Sequence, residues 1–206
     1  MLQVIGMAVG RMGANAYIVY EKDRYDAIII DPGDEADRLK RELDKRGLNL
    51  AAILFTHGHF DHIGAAGGLK KQFACDYYIH QLDGEMLTDS MKNLSAMVYL
   101  DIATTPAEHL LQDGQVLHIA GMEIKVLHTP GHTKGGVCYL IEDCLFSGDT
   151  LFAGSVGRTD FPDGSMTELV NSIRGKLFCL DDATKVYPGH MSTTTIGEEK
   201  QSNPFV

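Results

Sequence analysis

Short apolar runs between polar, glycine-containing turns make up most of the first quarter of the chain. Three of these runs predict strands at residues 2–8, 15–20 and 26–31. A charged helix is expected next, capped by Asp34, ending at about Arg46 and stopped by Gly47. The following run, residues 50–55, is apolar without a break, which predicts a strand buried on both faces.

The rest of the chain continues this alternation with longer connections. Further strands are predicted at residues 76–79, 115–119, 122–128, 137–141, 144–146 and 185–187, and helices at 63–73, 83–88 and 167–178. The stretch 91–106 has no clean period, so we expect irregular packing there, with a mobile flap near a site as the alternative. Meanders come first and crossovers later, and this order predicts helices outside packed sheets.

Metal-ligand side chains are concentrated directly after the apolar run 50–55. The segment from His57 to His62 contains three imidazoles and one carboxylate, which are common ligands of zinc. His57 and His59 are two residues apart, so in an extended segment they project the same way and can hold one ion. Asp61 and His62 are adjacent and could face a second ion. A polar loop with histidines by chance does not account for this density, and the segment predicts a metal site.

Three more ligand-type residues follow a shared local plan further along the chain. In each case an apolar strand ends, a glycine or proline allows a turn, and the ligand-type residue comes next. His132 follows Thr-Pro-Gly, Asp149 follows Ser-Gly, and His190 follows Pro-Gly. Any one of them alone would be weak evidence, but together with the first segment they strengthen the prediction of a metal centre.

Composition and charge limit the functions and partners that this protein can have. The chain has 206 residues, 44% of them hydrophobic, and we expect one domain over residues 1–206. It contains no apolar run of membrane-spanning length, and its apolar N-terminus lacks the basic residues of a signal peptide. The four cysteines form no C-x-x-C pair, as expected for free thiols in a cytoplasmic protein. A formal net charge of −10 argues against a nucleic-acid partner and favours a small-molecule substrate, which metal ions would attract if it is anionic.

The pattern His-x-His-x-Asp-His, followed by His132, Asp149 and His190, resembles the metallo-β-lactamase superfamily over nearly the whole chain. The resemblance implies an α+β fold, a four-layer αββα sandwich with metals at one edge. It implies two divalent metal ions, with zinc expected and iron or manganese as alternatives. Carried onto this sequence, it places the first ion on His57, His59 and His132, the second on Asp61, His62 and His190, and Asp149 between them as the bridge.

Three further segments look like the short glyoxalase II-like branch, described as hydroxyacylglutathione hydrolase-like. They are residues 148–152, 157–161 and 194–200. This resemblance implies hydrolysis of a thioester or ester, such as an S-2-hydroxyacylglutathione, and makes Arg158 a candidate substrate-binding residue, with a structural ion pair as the alternative. Two features depart from full-length glyoxalase II. Met191 and Ser192 replace the aromatic residue after the last histidine, and the chain ends soon after His190, so we expect no C-terminal helical domain.

The implied mechanism is attack on a carbonyl by hydroxide generated at the metal ions, since coordination lowers the pKa of water from 15.7 to about 7. Asp61 is the expected catalytic residue, orienting the nucleophile or moving its proton. Asp31 ends a strand and is expected to hold the free N–H of a ligand histidine, although an Asp-Pro-Gly turn is an equal alternative. No dedicated acid is evident, which favours thiolate over amine leaving groups. Main-class zinc β-lactamases typically carry cysteine where this chain has Asp149, which argues against antibiotic hydrolysis.

Two other functions fit the same residues. Persulfide dioxygenases share this scaffold and use a single iron, which here would be held by His57, His132 and Asp149. A non-enzymatic redox or metal-binding module is the second alternative, and the complete ligand set makes it the weaker one.

Overall fold

The computed structural model describes residues 1–206, which fold into two six-stranded sheets packed face to face. The first sheet contains β1 to β6 in sequence order, at Leu2–Val9, Ala14–Glu21, Asp26–Ile30, Asn49–Leu54, Asp76–His80 and His109–Leu111. Strands β1 to β3 pair antiparallel, and β3 to β6 pair parallel. The change in direction follows the sequence, since tight turns join the first three strands and crossovers join the others.

The second sheet is built from the C-terminal half of the chain. Its strands are β7 to β10 at Val116–Ile119, Met122–His128, Val137–Ile141 and Cys144–Gly148, followed by β13 at Lys185–Pro188 and β14 at Thr194–Thr195. They are arranged in the order β14-β13-β10-β9-β8-β7, and β10 and β13 are parallel neighbours. A separate two-stranded pair consists of β11 at Leu151–Phe152 and β12 at Ser155–Val156.

Helices lie on the outer faces of both sheets. They are α1 at Ala36–Arg46, α2 at Phe60–Ile63, α3 at Ala66–Lys70, α4 at Met166–Gly175 and α5 at Ile196–Ser202. The longest of them has 11 residues, and no helix has the length and apolar character needed to cross a membrane.

Three hydrophobic cores separate the four layers. On β3, Ile29 belongs to the core beneath α1, whereas Ile28 and Ile30 belong to the core between the sheets. On β10, Leu145 packs with Ile173 of α4 in the third core, while Phe146 faces the first sheet. Strands covered on both faces explain the unbroken apolar runs, and this arrangement confirms the predicted αββα sandwich.

The helix predicted at residues 63–73 is wrong in extent, because the structure contains two short helices instead. The amide of Ala65 donates to the carbonyl of Pro32 at 2.9 Å and therefore leaves the helical ladder. A Cβ on Gly64 would lie 2.4 Å from the carbonyl oxygen of Gly33, so the chain passes too close to that turn for most residues. Tertiary contact with the segment after β3 thus interrupts the helix.

The predicted cap of the first helix is also wrong. Glu35, not Asp34, occupies the N-cap position, with φ of 59° and no side-chain cap hydrogen bond. The Asp34 carboxylate instead accepts from the amide of Glu35 at 2.6 Å. The C-terminal end agrees with the prediction, since Gly47 adopts φ of 66° directly after Arg46.

Several short elements were not predicted. These are the strands β6, β11, β12 and β14 and the helix α5. The stretch 91–106 contains only a 3₁₀ turn at Ser95–Val98, in agreement with the expected irregular packing. Its shape is fixed by the buried Asn93, whose side-chain amide donates to the carbonyls of Met86 and Ile102.

Candidate metal centre

Strand ends bring the predicted ligand residues to one edge of the sandwich. In the parallel β3–β4 pair, Ile30 lies opposite Leu54, so Asp31 reaches the segment that begins at Thr56. In the parallel β10–β13 pair, Gly148 lies opposite Pro188, which places Asp149 and His190 side by side. The amide of Val137 donates to the carbonyl of Thr56 at 2.8 Å and joins the two sheets at this edge.

The first group of ligand-type residues consists of His57, His59 and His132, with ligand atoms within 4.8 Å of one another. His59 Nδ1 lies 2.9 Å from His132 Nε2. His132 Nδ1 is 2.7 Å from the carbonyl oxygen of Arg158, and donation to it leaves the lone pair of a neutral ring on Nε2. The lone pair of His132 therefore faces His59, an arrangement suited to holding a cation.

The second group consists of Asp61, His62 and His190, also within 4.8 Å. Asp61 Oδ2 is 3.4 Å from His190 Nε2 and 3.9 Å from His62 Nε2. His62 is buried, while Asp61 and His190 are partly accessible. This group lies between the buried interior and the surface.

Asp149 lies between the two groups. Its Oδ2 is 3.5 Å from His132 Nε2 of the first group and 3.7 Å from His190 Nε2 of the second. Its Oδ1 is 3.5 Å from His62 Nε2. One carboxylate thus faces ligand atoms of both groups, which is the position that a bridging ligand needs.

Three buried polar atoms of the cluster have no hydrogen-bond partner: His57 Nε2, His62 Nε2 and Asp149 Oδ1. Leaving a polar atom buried and unpaired is costly, and native structures rarely do so. All three atoms are good ligands for a divalent ion, and all lie inside the cluster. The donor set therefore fits divalent metal binding.

The electrostatics of the cluster agree with a missing positive charge. Burial lowers the pKa of His59 to about 3 and that of His57 well below its usual value, so both rings are neutral. Burial alone would lower the pKa of His62, but Asp149, Asp61 and Asp31 outweigh it and raise that pKa to about 10. Burial would raise the pKa of Asp61, yet His62 and His190 hold it well below its usual range. A protonated His62 thus provides the positive charge that these carboxylates attract, and a bound cation would provide it in place of the proton.

Asp31 holds His62 in place. Its Oδ2 accepts from His62 Nδ1 at 2.9 Å and from the Thr56 hydroxyl at 2.5 Å, and its Oδ1 accepts from the Thr56 amide at 2.7 Å. The residue adopts φ of 52°, a conformation that aspartate tolerates in turns. The hydrogen bond to Nδ1 directs His62 Nε2 toward the cluster.

Asp83 is a site residue that sequence reasoning did not identify. It is 1% exposed, and its carboxylate accepts from the amide of Gly58 at 3.2 Å, the hydroxyl of Thr133 at 2.7 Å and the amide of Gly135 at 2.7 Å. Burial raises its pKa, and these three donors oppose that rise. Asp83 therefore ties together the two loops that carry His57, His59 and His132. In the sequence it appears only as the start of a short helix.

Two glycines are required by close packing around Asp149. A Cβ on Gly157 would lie 1.8 Å from the carbonyl oxygen of Asp149. A Cβ on Gly189 would lie 2.3 Å from Asp149 Oδ1 and 2.8 Å from His62 Cε1. The turns beside His190 and Arg158 thus pass too close to the cluster for any side chain.

A cavity of about 620 Å³ opens over the candidate ligand residues, and Arg158 is the one arginine or lysine among the residues that line it. The guanidinium group of Arg158 forms a bidentate ion pair with Asp160, with Nε and Nη2 at 2.7 and 2.6 Å from its carboxylate oxygens. It also stacks on Phe161, with Cζ 3.9 Å from the ring centroid. Arg158 therefore has features of both predicted roles. Its side chain lines the cavity, as a substrate-binding residue would, and it also forms an ion pair.

Comparison with known proteins agrees with this geometry. Residues 9–190 match the metallo-beta-lactamase superfamily. The hydroxyacylglutathione hydrolase GloC of Haemophilus influenzae is 40% identical, over 93% of this chain and 92% of that protein. The probable metallo-hydrolase YqgX of Bacillus subtilis is 37% identical, over 97% and 95%.

Solved structures with the same fold extend the comparison. BLEG-1, described as a B3 metallo-beta-lactamase, superposes with a TM-score of 0.94 at 40% identity, over 100% of this chain and 99% of that one. TTHA1623 in a di-iron-bound form gives 0.88 at 36% identity, over 98% and 100%. ETHE1 from Myxococcus xanthus gives 0.83 at 29% identity, over 98% and 83%.

Proposed function

We propose, since the chain belongs to the metallo-β-lactamase superfamily, that it is a metal-dependent hydrolase that cleaves thioesters or activated esters with two divalent ions bound. The observation that carries the proposal is the position of Asp149 between two groups of ligand-type residues, with three buried atoms left unpaired. When bound, such ions supply hydroxide at neutral pH and polarise a carbonyl oxygen.

The chain's own residues divide into three roles in this proposal. The first ion would be held by His57, His59 and His132, the second by Asp61, His62 and His190, with Asp149 shared between them. Asp61 also lines the cavity and keeps an ionised carboxylate, so it can orient a water molecule through a hydrogen bond. Asp31 positions His62 through Nδ1.

The leaving group is inferred from what the cavity lacks. Its titratable lining consists of five proposed metal ligands and Arg158, which leaves no free acid to protonate an amine. A thiol has a pKa of about 8.5 and can leave as the thiolate without a proton. This favours thioesters over amides, and the name of the relative GloC makes S-2-hydroxyacylglutathiones the first candidates. For β-lactams we expect a kcat/KM lower by about 10²-fold or more.

Metal analysis combined with substrate assays tests the proposal. Protein purified without added metal is expected to contain about two ions per chain, zinc or a mixture of zinc and iron, and to hydrolyse S-lactoylglutathione or another thioester. We would run a β-lactam and a glutathione persulfide beside it, the latter in an oxygen electrode. Hydrolysis of the β-lactam at a rate equal to the thioester would contradict the leaving-group argument.

The same measurements distinguish the hydrolase from the alternative function, an iron-dependent persulfide dioxygenase. A single iron on His57, His132 and Asp149 would leave the Asp61, His62 and His190 group without an ion, although His62 Nε2 is also buried and unpaired. This observation favours two ions. One iron per chain with persulfide-dependent oxygen uptake would replace the hydrolase proposal, and absence of both activities would leave the metal-binding module.

Arg158 is proposed to contact an anionic group of the substrate, with Asp160 restraining its position. We expect Arg158→Ala to raise the KM for an S-acylglutathione by about 3- to 10-fold, because one exposed charge-assisted contact is lost. Asp160→Asn should lower the same KM, because it frees the guanidinium group. The matched control is the N-acetylcysteamine thioester of the same acyl group, whose KM should stay constant in both variants.

The alanine variant retains the backbone carbonyl that accepts from His132 Nδ1, so a change in KM would report on the side chain. If Arg158→Ala altered only the melting temperature and left both KM values unchanged, the ion pair would be structural and the substrate contact would be rejected.

A further inference from the structure

The cavity above the ligand residues is lined mainly by apolar side chains. Its floor includes Asp61 and Asp149, and its walls include Phe152 of β11, Phe161 and Val98. The volume of about 620 Å³ lies within the range of sites that enclose a small molecule. The cavity is therefore continuous from the proposed metal ligands to the solvent, and a substrate carbonyl at the floor would direct one of its substituents along these walls.

Three methionines form the rim of the cavity: Met12, Met97 and Met191, exposed by 58, 62 and 60%. They belong to three separate segments, the β1–β2 turn, the stretch 91–106 and the turn after β13. Exposed apolar side chains that converge on one opening indicate a binding surface rather than chance exposure. Methionine is flexible and polarisable, so a methionine rim can adapt to chains of different length.

The polar groups of the cavity are mostly engaged. The five titratable residues at the floor are proposed ligands, and Arg158 is paired with Asp160. Ser155 is the one hydroxyl residue that lines the cavity. A substrate hydroxyl beside the carbonyl would therefore find few partners on the walls, whereas an alkyl chain would displace water from apolar surface along its whole length.

We propose that the acyl group of the substrate is an unsubstituted apolar chain that lies along this cavity, with Met12, Met97 and Met191 as specificity-determining residues. The proposal rests on the thioesterase function above. Among the thioesters considered there, it favours alkyl acyl groups over the 2-hydroxyacyl groups that the name of the relative GloC suggests. The metal-ligand residues fix the carbonyl end, and the rim contacts the far end of the chain.

A series of N-acetylcysteamine thioesters on the metal-loaded protein tests the proposal. The acyl group would run from lactoyl and its deoxy counterpart propanoyl through butanoyl, hexanoyl and octanoyl. We expect kcat/KM to rise by about two- to fourfold per methylene, as burial of apolar surface predicts, until the chain passes the rim. Propanoyl should be hydrolysed at least as well as lactoyl. A flat series, or a preference for lactoyl, would overturn the proposal while leaving the hydrolase function intact.

Binding of non-hydrolysable ketone analogues, in which CH₂ replaces the thioester sulfur, provides a readout that does not depend on turnover. Calorimetry is expected to show the same rise in affinity per methylene. The protein could bind longer analogues more tightly and yet hydrolyse no thioester. That result would support the cavity assignment and reject the proposed function, so failure of one is distinguishable from failure of the other.

Met97→Gln is the diagnostic variant, because it keeps the length of the side chain and makes it polar. It should reduce the ratio of kcat/KM for the octanoyl thioester to kcat/KM for the propanoyl thioester by about 3-fold or more. Met91→Gln is the matched control, since Met91 lies in the same stretch, is 69% exposed and does not line the cavity. Equal effects of both variants would contradict the proposal. Sedimentation gives a further contradicting outcome. If the mass of the protein rose with concentration and Met97→Gln abolished that rise, the rim would be a contact between copies of the chain.

Discussion

Replacement of Asp149 by alanine is expected to lower kcat/KM for a thioester by at least about 10³-fold and to leave fewer than two ions bound per chain. The reason is its position, since Oδ2 is 3.5 Å from His132 Nε2 and 3.7 Å from His190 Nε2. Removing this carboxylate withdraws a ligand from both proposed ions at once, whereas each histidine serves one. It also removes one of the negative charges that would balance bound cations beside His62, His132 and His190.

Metal content and steady-state kinetics on the same preparation would measure this effect. Asp163→Asn is the control, because Asp163 is an exposed carboxylate on the neighbouring loop, pairs with Lys134 at the surface and has φ of 70°, which asparagine accepts. The control should keep two ions and full activity. An Asp149→Ala protein that retained both ions and a tenth of the activity would rule out the bridging role.

Asp83→Ala is expected to destabilise the fold by about 3 kcal/mol, because it leaves three buried donors without an acceptor. For a chain of this length that loss corresponds to a fall in melting temperature of about 6–12 °C. The two loops held by Asp83 carry three proposed ligands of the first ion, so metal affinity should also fall, by about 10- to 100-fold. Differential scanning calorimetry and competition with a chelator would measure the two effects.

Asp83→Asn refines the test. The asparagine has nearly the same side-chain volume, but its amide N–H₂ would face at least one of the three groups that donate to Asp83. Its stability should lie between those of the wild type and the alanine variant. Asp101→Ala is the control, because Asp101 is an exposed carboxylate with no hydrogen bond or ion pair to another residue, and it should change neither property. If Asp83→Ala lowered stability without weakening metal binding, the carboxylate would support the fold alone.

The sequence predicts the layers of this protein well because its strands are covered on both faces. Runs such as residues 50–55 are apolar without interruption, and a strand between two cores has this pattern. The candidate ligand residues stand out for a related reason, since His132, Asp149 and His190 each follow a strand and a turn. Strand ends meet at one edge, so local patterns indicate residues that the fold brings together.

The features that sequence reasoning missed depend on contacts between distant segments. The helix after His62 is broken by the amide of Ala65, which donates to Pro32, a residue 33 positions earlier. Asp83 binds donors 25 to 52 residues away, and no local pattern distinguishes it from an acid at a helix start. The pairing of Arg158 with Asp160 is short-range, but which role of Arg158 dominates depends on a cavity assembled from six separate segments.

Arg158 makes separate contacts with its backbone and with its side chain, so the two sets of contacts can change independently. Its backbone carbonyl orients the imidazole of His132, whereas its side chain points to the cavity and to Asp160. Backbone atoms are common to all amino acids, so position 158 can change its side chain during evolution while the hydrogen bond to His132 persists. If Arg158 contacts the substrate as proposed, substrate preference is thereby separable from metal binding, and libraries randomised at residues 158 and 160 should retain bound metal while their substrate profiles diverge.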